Sequence, residues 1–165
     1  YNDKQKEFFR LHIELAKDKE LPVIIHTRYS IDDAIQVVIE NYSEKLKGQF
    51  HCFDGTVEQL NKVMRIENSF QSPEKSSGLG TFYVSFTGNV TYKKYSYTDT
   101  VAKIPIDKIL SETDSPFLSP VPYRGKPNEP AYIVNTIKKI AEIKNMNEED
   151  MKKQLRENAK SLFNI

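Results

Sequence analysis

The sequence predicts an α/β fold built around a parallel sheet, and three observations lead to this prediction. Four short apolar segments alternate along the 165 residues with longer segments of helical periodicity. The run Val23-Ile24-Ile25 is unbroken by polar residues, as in parallel strands that are covered on both faces. The spacing of strands and helices is that of βαβ units. We therefore expect one domain over residues 1–165, with a hydrophobic content of 38% that can form a core.

The first part of the chain is predicted to hold three helices and two strands. An apolar stripe favours a helix over residues 1–20, and a strand follows over residues 21–27. Ser30 is the predicted cap of the second helix. A second strand is expected over residues 49–53. Thr56 with Gln59 then has the pattern of a capping box at the start of the third helix.

The second part of the chain opens with a polar segment, residues 67–80, which is rich in serine and glycine and predicts a surface loop. The remaining predicted elements are strands over residues 81–88 and 107–114, a short helix near residues 98–103, and helices beginning at Asn128 and Asn147. The chain contains no internal repeat and no composition change that would mark a domain boundary.

Polar side chains stand at the ends of the predicted strands. His26, His51 and Asp114 each fall at a carboxyl end, where open α/β sheets and barrels bind their ligands. Because side chains alternate along a strand, Glu112 is expected on the same face as Asp114. Neutral imidazole and carboxylate suit Zn²⁺ or Mn²⁺, and carboxylate with water also holds Mg²⁺. Such a site can activate water.

Each of these residues also has a simpler interpretation. A single histidine at a strand end is more often a hydrogen-bonded core residue than a metal ligand, and an aspartate before Ser-Pro is usually part of a turn. It is the repetition at equivalent topological places that favours a site. Cys52 is expected to point away from His51.

Two arginines are candidates for binding phosphate. Arg28 lies two residues after His26, where it can contact a phosphate or pair with a buried carboxylate. Arg124 lies in the proline-rich loop 119–130, beside a predicted helix start, and arginine forks and helix N-termini both bind phosphate. The alternative for this loop is a stiff connector with solvated charges.

Composition limits the classes of function. The net charge of +1 excludes binding of nucleic acid by a uniformly basic surface and allows a local basic rim. No segment approaches the roughly 18 apolar residues of a membrane span. A single cysteine and the absence of a signal peptide in a chain that begins at Tyr1 lead us to expect a soluble cytoplasmic or nuclear protein, with no membrane association and no evident obligate protein partner.

Several motifs together resemble the TatD family of metal-dependent deoxyribonucleases. They run in order along the chain as "LPVIIHTR", "FHCFDGT", "YVSFTGNVT", "ETDSPFLSP", "RGKPNEP" and "ENAKSLF". The resemblance implies a (β/α)₈ TIM-type barrel of the amidohydrolase superfamily. It also implies a centre with two divalent ions (Zn, Mg or Mn) that hydrolyses DNA phosphodiesters, with 3′–5′ exonuclease action.

The resemblance also implies roles for particular residues. His26 and His51 are similar to ligands of one metal, and Asp114 is similar to the strand-end aspartate that binds the other metal and orients the attacking water. Glu112 corresponds to a support residue beneath them. The residues to which the resemblance assigns substrate binding are Arg28, Glu112 and Arg124.

The chain departs from the family pattern in two respects. It has no His-x-His pair and no glutamate in a "GEIGLD"-like segment, which the family carries on earlier strands. A complete barrel of this type takes about 250 residues. We therefore expect this chain to be the C-terminal portion of a barrel that lacks its N-terminal strands, with residues 67–80 as an insertion, and to be inactive alone. The alternative functions are hydrolysis of an ester or amide, and a non-catalytic interaction scaffold.

Overall fold

The structure of the protein is a computed structural model that describes residues 2–66 and 81–165. The predicted surface loop 67–80 lies outside the described residues. The helices are α1 (Asn2–Lys19), α2 (Ile31–Glu40), α3 (Val57–Met64), α4 (Thr98–Lys103), α5 (Ile133–Ile143) and α6 (Glu148–Phe163). The strands are β1 (Val23–His26), β2 (Gly48–His51), β3 (Phe82–Phe86) and β4 (Ile109–Ser111).

The four strands form one parallel sheet in the order β1-β2-β3-β4. Each strand therefore pairs with its neighbour in the chain, and the connections return through helices on the outer side, as the βαβ prediction requires. The parallel α/β fold is confirmed. In the described part of the chain the sheet has four strands, half of the eight in a closed barrel of this kind.

The two faces of the sheet are covered differently. The outer face carries Phe50, Phe82 and Val84, which are buried against the helices in the main hydrophobic core. The inner face carries more polar residues, including Gln49 and Ser85, which are also buried. A small second cluster on this face consists of Tyr83, Leu110 and Leu162 of α6. The inner face therefore carries both polar and apolar residues, and two of its strands end in a histidine, His26 and His51.

Among the predicted helix caps, Thr56 and Asn147 form the capping hydrogen bond, and Ser30 does not. The capping box is confirmed, since the Thr56 hydroxyl accepts from Gln59 N–H and the Gln59 side chain accepts from Thr56 N–H. Asn147 also caps α6, by accepting from Glu149 N–H at 2.8 Å. Ser30 occupies the cap position of α2, but its side chain makes no capping hydrogen bond.

The predicted helix start at Asn128 is wrong. Helix α5 begins at Ile133, after a 3₁₀ turn over Pro130–Tyr132. Asn128 is buried instead, and its side-chain amide donates to the carbonyls of Thr113 and Phe117, both at 2.7 Å. Asn128 therefore joins its own loop to the turn over residues 113–117.

Strands β2 and β4 end earlier than predicted. Strand β2 stops at His51 because Cys52 adopts a left-handed conformation (φ 44°), and β4 stops at Ser111. Asp114 is also left-handed (φ 57°). Non-glycine residues in this region are strained and are concentrated at functional sites. Across the described residues, no helix combines the length and the apolar character needed to cross a membrane.

Candidate metal centre

Two imidazoles meet at the carboxyl edge of the sheet. The register pairs His26 at the end of β1 with His51 at the end of β2, so both side chains leave the same face. Their ring centroids are 5.5 Å apart, with 41° between the ring planes. The structure thus brings together two residues that are separated by a helix and two loops in the sequence.

Glu112 holds His51 from the side of β4. Its Oε2 lies 2.9 Å from His51 Nδ1, and its Oε1 accepts a hydrogen bond of 2.6 Å from Cys52 N–H. The backbone of Glu112 is itself fixed, because its N–H donates to the carbonyl of Phe86 at the end of β3. Both carboxylate oxygens therefore contact the end of β2, one at its last residue, His51, and the other at the next residue, Cys52.

Asp114 reaches the same imidazole from the other side. Its Oδ1 is 3.4 Å from His51 Nε2. We expected Asp114 to share a strand face with Glu112, but the strand ends at Ser111, and a turn carries Asp114 instead. Phe117 N–H donates to the Asp114 carbonyl at 2.8 Å in this turn, and Asn128 anchors the flanking carbonyls of Thr113 and Phe117.

The carboxylates set the electrostatics of His51. The hydrogen bond to Glu112 raises the pKa of His51 above its ordinary value, and the negative charges of Glu112 and Asp114 add to this effect. Partial burial of the ring acts in the opposite direction. The two carboxylates therefore stabilise the protonated form of His51 relative to a free imidazole.

Cys52 contributes through its backbone, a role that the sequence did not indicate. Its N–H supports Glu112, whereas its thiol faces Thr87, with 3.3 Å between Sγ and Oγ1. Burial raises the pKa of the Cys52 thiol to about 11. A thiol with such a pKa is protonated at neutral pH and is a poor metal ligand.

The donor types at this edge suit a divalent cation. Neutral imidazole nitrogens and carboxylate oxygens are ligands for zinc and manganese, and carboxylates also bind magnesium. Among residues 2–66 and 81–165, however, no three histidine, cysteine, aspartate or glutamate side chains form a group that could hold an ion by themselves. The donor types are therefore suitable for a metal, but the described residues supply only part of a coordination sphere.

The two arginines lie at the periphery of this centre. Arg28 is exposed beyond β1 and lines, with His26, a wide groove between α1 and β1. Arg124 is also exposed, and its guanidinium carbon lies 4.3 Å from the centroid of the Tyr92 ring. Within the described structure, neither arginine forms an ion pair with Glu112 or Asp114.

The chain is similar to known sequences over nearly all of its length. Residues 1–164 match the model of a family described as "TatD related DNase". The chain is 42% identical over 164 residues to the uncharacterized metal-dependent hydrolase YabD of Bacillus subtilis, covering 99% of this chain and 59% of that protein. It is 33% identical over 163 residues to the uncharacterized metal-dependent hydrolase YcfH of Escherichia coli, covering 98% and 56%.

Solved structures give the same relationship. A TatD homologue from Escherichia coli, YjjV, superimposes with a TM-score of 0.79 at 25% identity, over 93% of this chain and 54% of that chain. A TatD family hydrolase from Entamoeba histolytica superimposes with a TM-score of 0.75 at 22% identity, over 94% and 55%, which shows the fold alone.

This chain thus spans between one half and three fifths of the proteins to which it is similar. The family match from end to end, the similar fold and the edge at which the predicted ligands meet lead to one conclusion: the chain belongs to the family of TatD-related DNases.

Proposed function

We propose that this chain carries part of the active site of a metal-dependent hydrolase that cleaves phosphodiester bonds in DNA. The observation that supports the proposal is the convergence of two imidazoles and two carboxylates at the carboxyl edge of the sheet. In α/β sheets and barrels, this edge is where ligands bind and chemistry takes place.

His26, His51 and Asp114 are the proposed metal ligands of this chain. Glu112 accepts a hydrogen bond from His51 Nδ1–H and so leaves Nε2 to face a cation, the usual arrangement of a carboxylate behind a metal-binding histidine. Two divalent ions per complete site (Zn, Mg or Mn) would neutralise phosphate charge and lower the pKa of water. Since this chain supplies three ligands, we propose the activity for a protein of its relatives' length.

Asp114 is the proposed catalytic residue. Its left-handed turn places the carboxylate at the rim beside His51. From there the carboxylate can orient an attacking water and accept its proton. Arg28 and Arg124 are proposed to neutralise phosphate charge at the periphery. These two cations favour a phosphodiester over a neutral ester or amide as the substrate.

The test is hydrolysis of a short single-stranded DNA, in the presence of Mn²⁺, Mg²⁺ or Zn²⁺, by a protein of the relatives' length that contains these residues. Asp114→Asn keeps the shape and removes the charge, so kcat should fall by about 10²- to 10⁴-fold. Asp107→Asn is the matched control, because Asp107 is exposed at the opposite end of β4. An unchanged kcat in Asp114→Asn would remove Asp114 from the mechanism.

Two further measurements define the substrate and the polarity of cleavage. Labels at the 3′ or the 5′ end of the strand distinguish 3′–5′ exonuclease action, in which the 3′ label is released first, from internal cleavage. A simple aryl ester serves as the competing substrate. Ester turnover that depends on His51, without any DNA cleavage, would favour a hydrolase of esters or amides. The 165-residue chain alone is expected to show no turnover.

A further inference from the structure

A small cavity lies beside the candidate metal centre. Its volume is about 360 Å³, close to the lower limit for ligand pockets, and therefore suits one small ligand. Asn89 connects the cavity to the centre, since Asn89 Nδ2 lies 3.9 Å from Cys52 Sγ and the Cys52 N–H donates to Glu112. The cavity is thus linked to His51 through Asn89, Cys52 and Glu112.

Arg124 and Tyr92 line the cavity together, with the guanidinium over one face of the ring. The guanidinium carbon of Arg124 lies 4.3 Å from the centroid of the Tyr92 ring, and the Tyr92 hydroxyl donates to the Ser119 carbonyl at 3.0 Å. The ring is therefore fixed at both its face and its hydroxyl. Planar guanidinium and phenol groups are surfaces on which nucleic-acid bases stack.

The loop that carries Arg124 is held in place relative to Asp114. Val121 N–H donates to the Thr91 hydroxyl at 2.8 Å, and the Ser119 hydroxyl donates to the Lys126 carbonyl. The Asn128 amide, from the same loop, binds carbonyls on either side of Asp114. These bonds hold the backbone of the loop around Arg124 before any ligand binds. Ordering of this loop therefore costs little entropy on binding.

The remaining lining residues supply hydrogen bonds and charge. Tyr95 has a buried hydroxyl without a hydrogen-bond partner among the described residues. Asp54 offers an acceptor, which suits the exocyclic amino group of a base. Lys94 and Arg124 are cations at the same cavity. An aromatic wall, an acceptor and two cations together match a base with its attached phosphate better than a bare phosphate.

We propose that this cavity binds one nucleotide of a single DNA strand, with the base against the Arg124–Tyr92 pair and the phosphate beside Arg124 and Lys94. This inference rests on the proposed function, because it assigns the cavity to a neighbour of the scissile phosphate. It adds a binding determinant that acts through the base, in addition to the metal centre that acts on the phosphate.

The experiment measures binding of a short fluorescein-labelled single strand to the 165-residue chain by fluorescence anisotropy in EDTA, so that metal and turnover play no part. The same strand with abasic sites is the second probe. Tyr92→Leu removes the ring, and its Kd for the base-containing strand should rise by about five- to a hundredfold, the range for loss of one base stack. Arg124→Lys keeps the charge, removes the flat guanidinium and should raise this Kd in the same direction.

Two variants serve as controls. Arg156→Lys makes the matched change at an exposed position on α6 and should leave binding unchanged. Tyr92→Phe keeps the ring and loses only the hydrogen bond to Ser119, so its Kd for the base-containing strand should rise less than that of Tyr92→Leu. For the abasic strand, Arg124→Lys should have no effect, since the charge that meets the phosphate is conserved.

The proposal is overturned if the parent chain binds abasic and base-containing strands equally, or if Tyr92→Leu and Arg124→Lys both bind as the parent does. These outcomes are distinct from a failure of the proposed function. Base-dependent binding in EDTA, together with no hydrolysis by the longer protein, would reject the nuclease and retain the nucleotide subsite. Hydrolysis by the longer protein, together with an unchanged Kd in Tyr92→Leu and Arg124→Lys, would retain the nuclease and reject the nucleotide subsite.

Discussion

Strands β1 and β2 present the same kind of residue at paired positions, and yet their surroundings differ. Strand β2 lies between two strands, and its Phe50 is 0% exposed. Strand β1 is at the edge of the sheet in the described part of the chain, and Ile24 on its inner face is 60% exposed. His51 at the end of β2 is half-buried between two carboxylates, whereas His26 at the end of β1 is exposed.

The candidate site is therefore preorganised on one side only. Glu112, which directly follows β4, contacts the His51 ring and is itself held by the Cys52 N–H, so that hydrogen bonds determine the orientation of this ring. His26 shares a ring contact with His51 and lies beside a wide groove. The β2–β4 side of the centre should therefore tolerate substitution less well than the β1 side.

The largest effect is expected from Phe50→Ala on β2. Phe50 lies in the middle of the core, and truncation leaves a cavity that the surrounding helices cannot fill. The free energy of unfolding should fall by about 3–5 kcal/mol. Urea denaturation followed by circular dichroism measures this change, and a loss below about 1 kcal/mol would mean that the interior of the sheet is no better packed than its edge.

Gly48→Ala tests the contact between the two strands directly. A Cβ at Gly48 would lie 2.3 Å from the carbonyl oxygen of Val23, so the backbones of β1 and β2 must move apart. We expect a loss of about 1–3 kcal/mol in the free energy of unfolding. Amide hydrogen exchange should accelerate in β1 and stay unchanged in β4. Equal acceleration in both strands would contradict a local separation.

Glu112→Gln tests whether the carboxylate that orients His51 is needed for metal binding. The new amide group must face either His51 Nδ1 or Cys52 N–H, both of which donate to the carboxylate, and the negative charge is lost. Affinity for Zn²⁺, measured by isothermal titration calorimetry, should fall by about 10- to 100-fold.

Glu44→Gln is the control for that substitution, since Glu44 is exposed in the loop before β2. Zinc affinity that falls equally in both variants would show that net charge, and not the orientation of His51, is responsible.

The smallest effect is expected from Ile24→Ala on the edge strand. Its exposed side chain buries little area in this chain, so the free energy of unfolding should change by less than about 0.5 kcal/mol. Ile25→Ala is the matched comparison on the opposite face of β1, where the side chain is 4% exposed, and should cost about 2–5 kcal/mol. If the two variants were equally unstable, Ile24 would be covered in solution.

Local sequence patterns determined the elements and their order. The apolar run before His26, the capping box at Thr56 and the cap at Asn147 each depend on a few adjacent residues, and each is found where the sequence predicted it. The parallel order of the strands followed from the same alternation. Since all parallel strands end at one edge, the meeting of His26 and His51 was also predictable.

The positions of the Glu112 and Asp114 carboxylates beside His51 depend on tertiary contacts. The left-handed turn at Asp114 is stabilised by Asn128, which we had assigned to a helix start, and Glu112 is held by the backbone of Cys52. These partners are 11 to 60 residues apart in the chain. Helix and strand propensities act within a few residues, whereas such contacts exist only after the sheet has assembled, and no local pattern in the sequence encodes them.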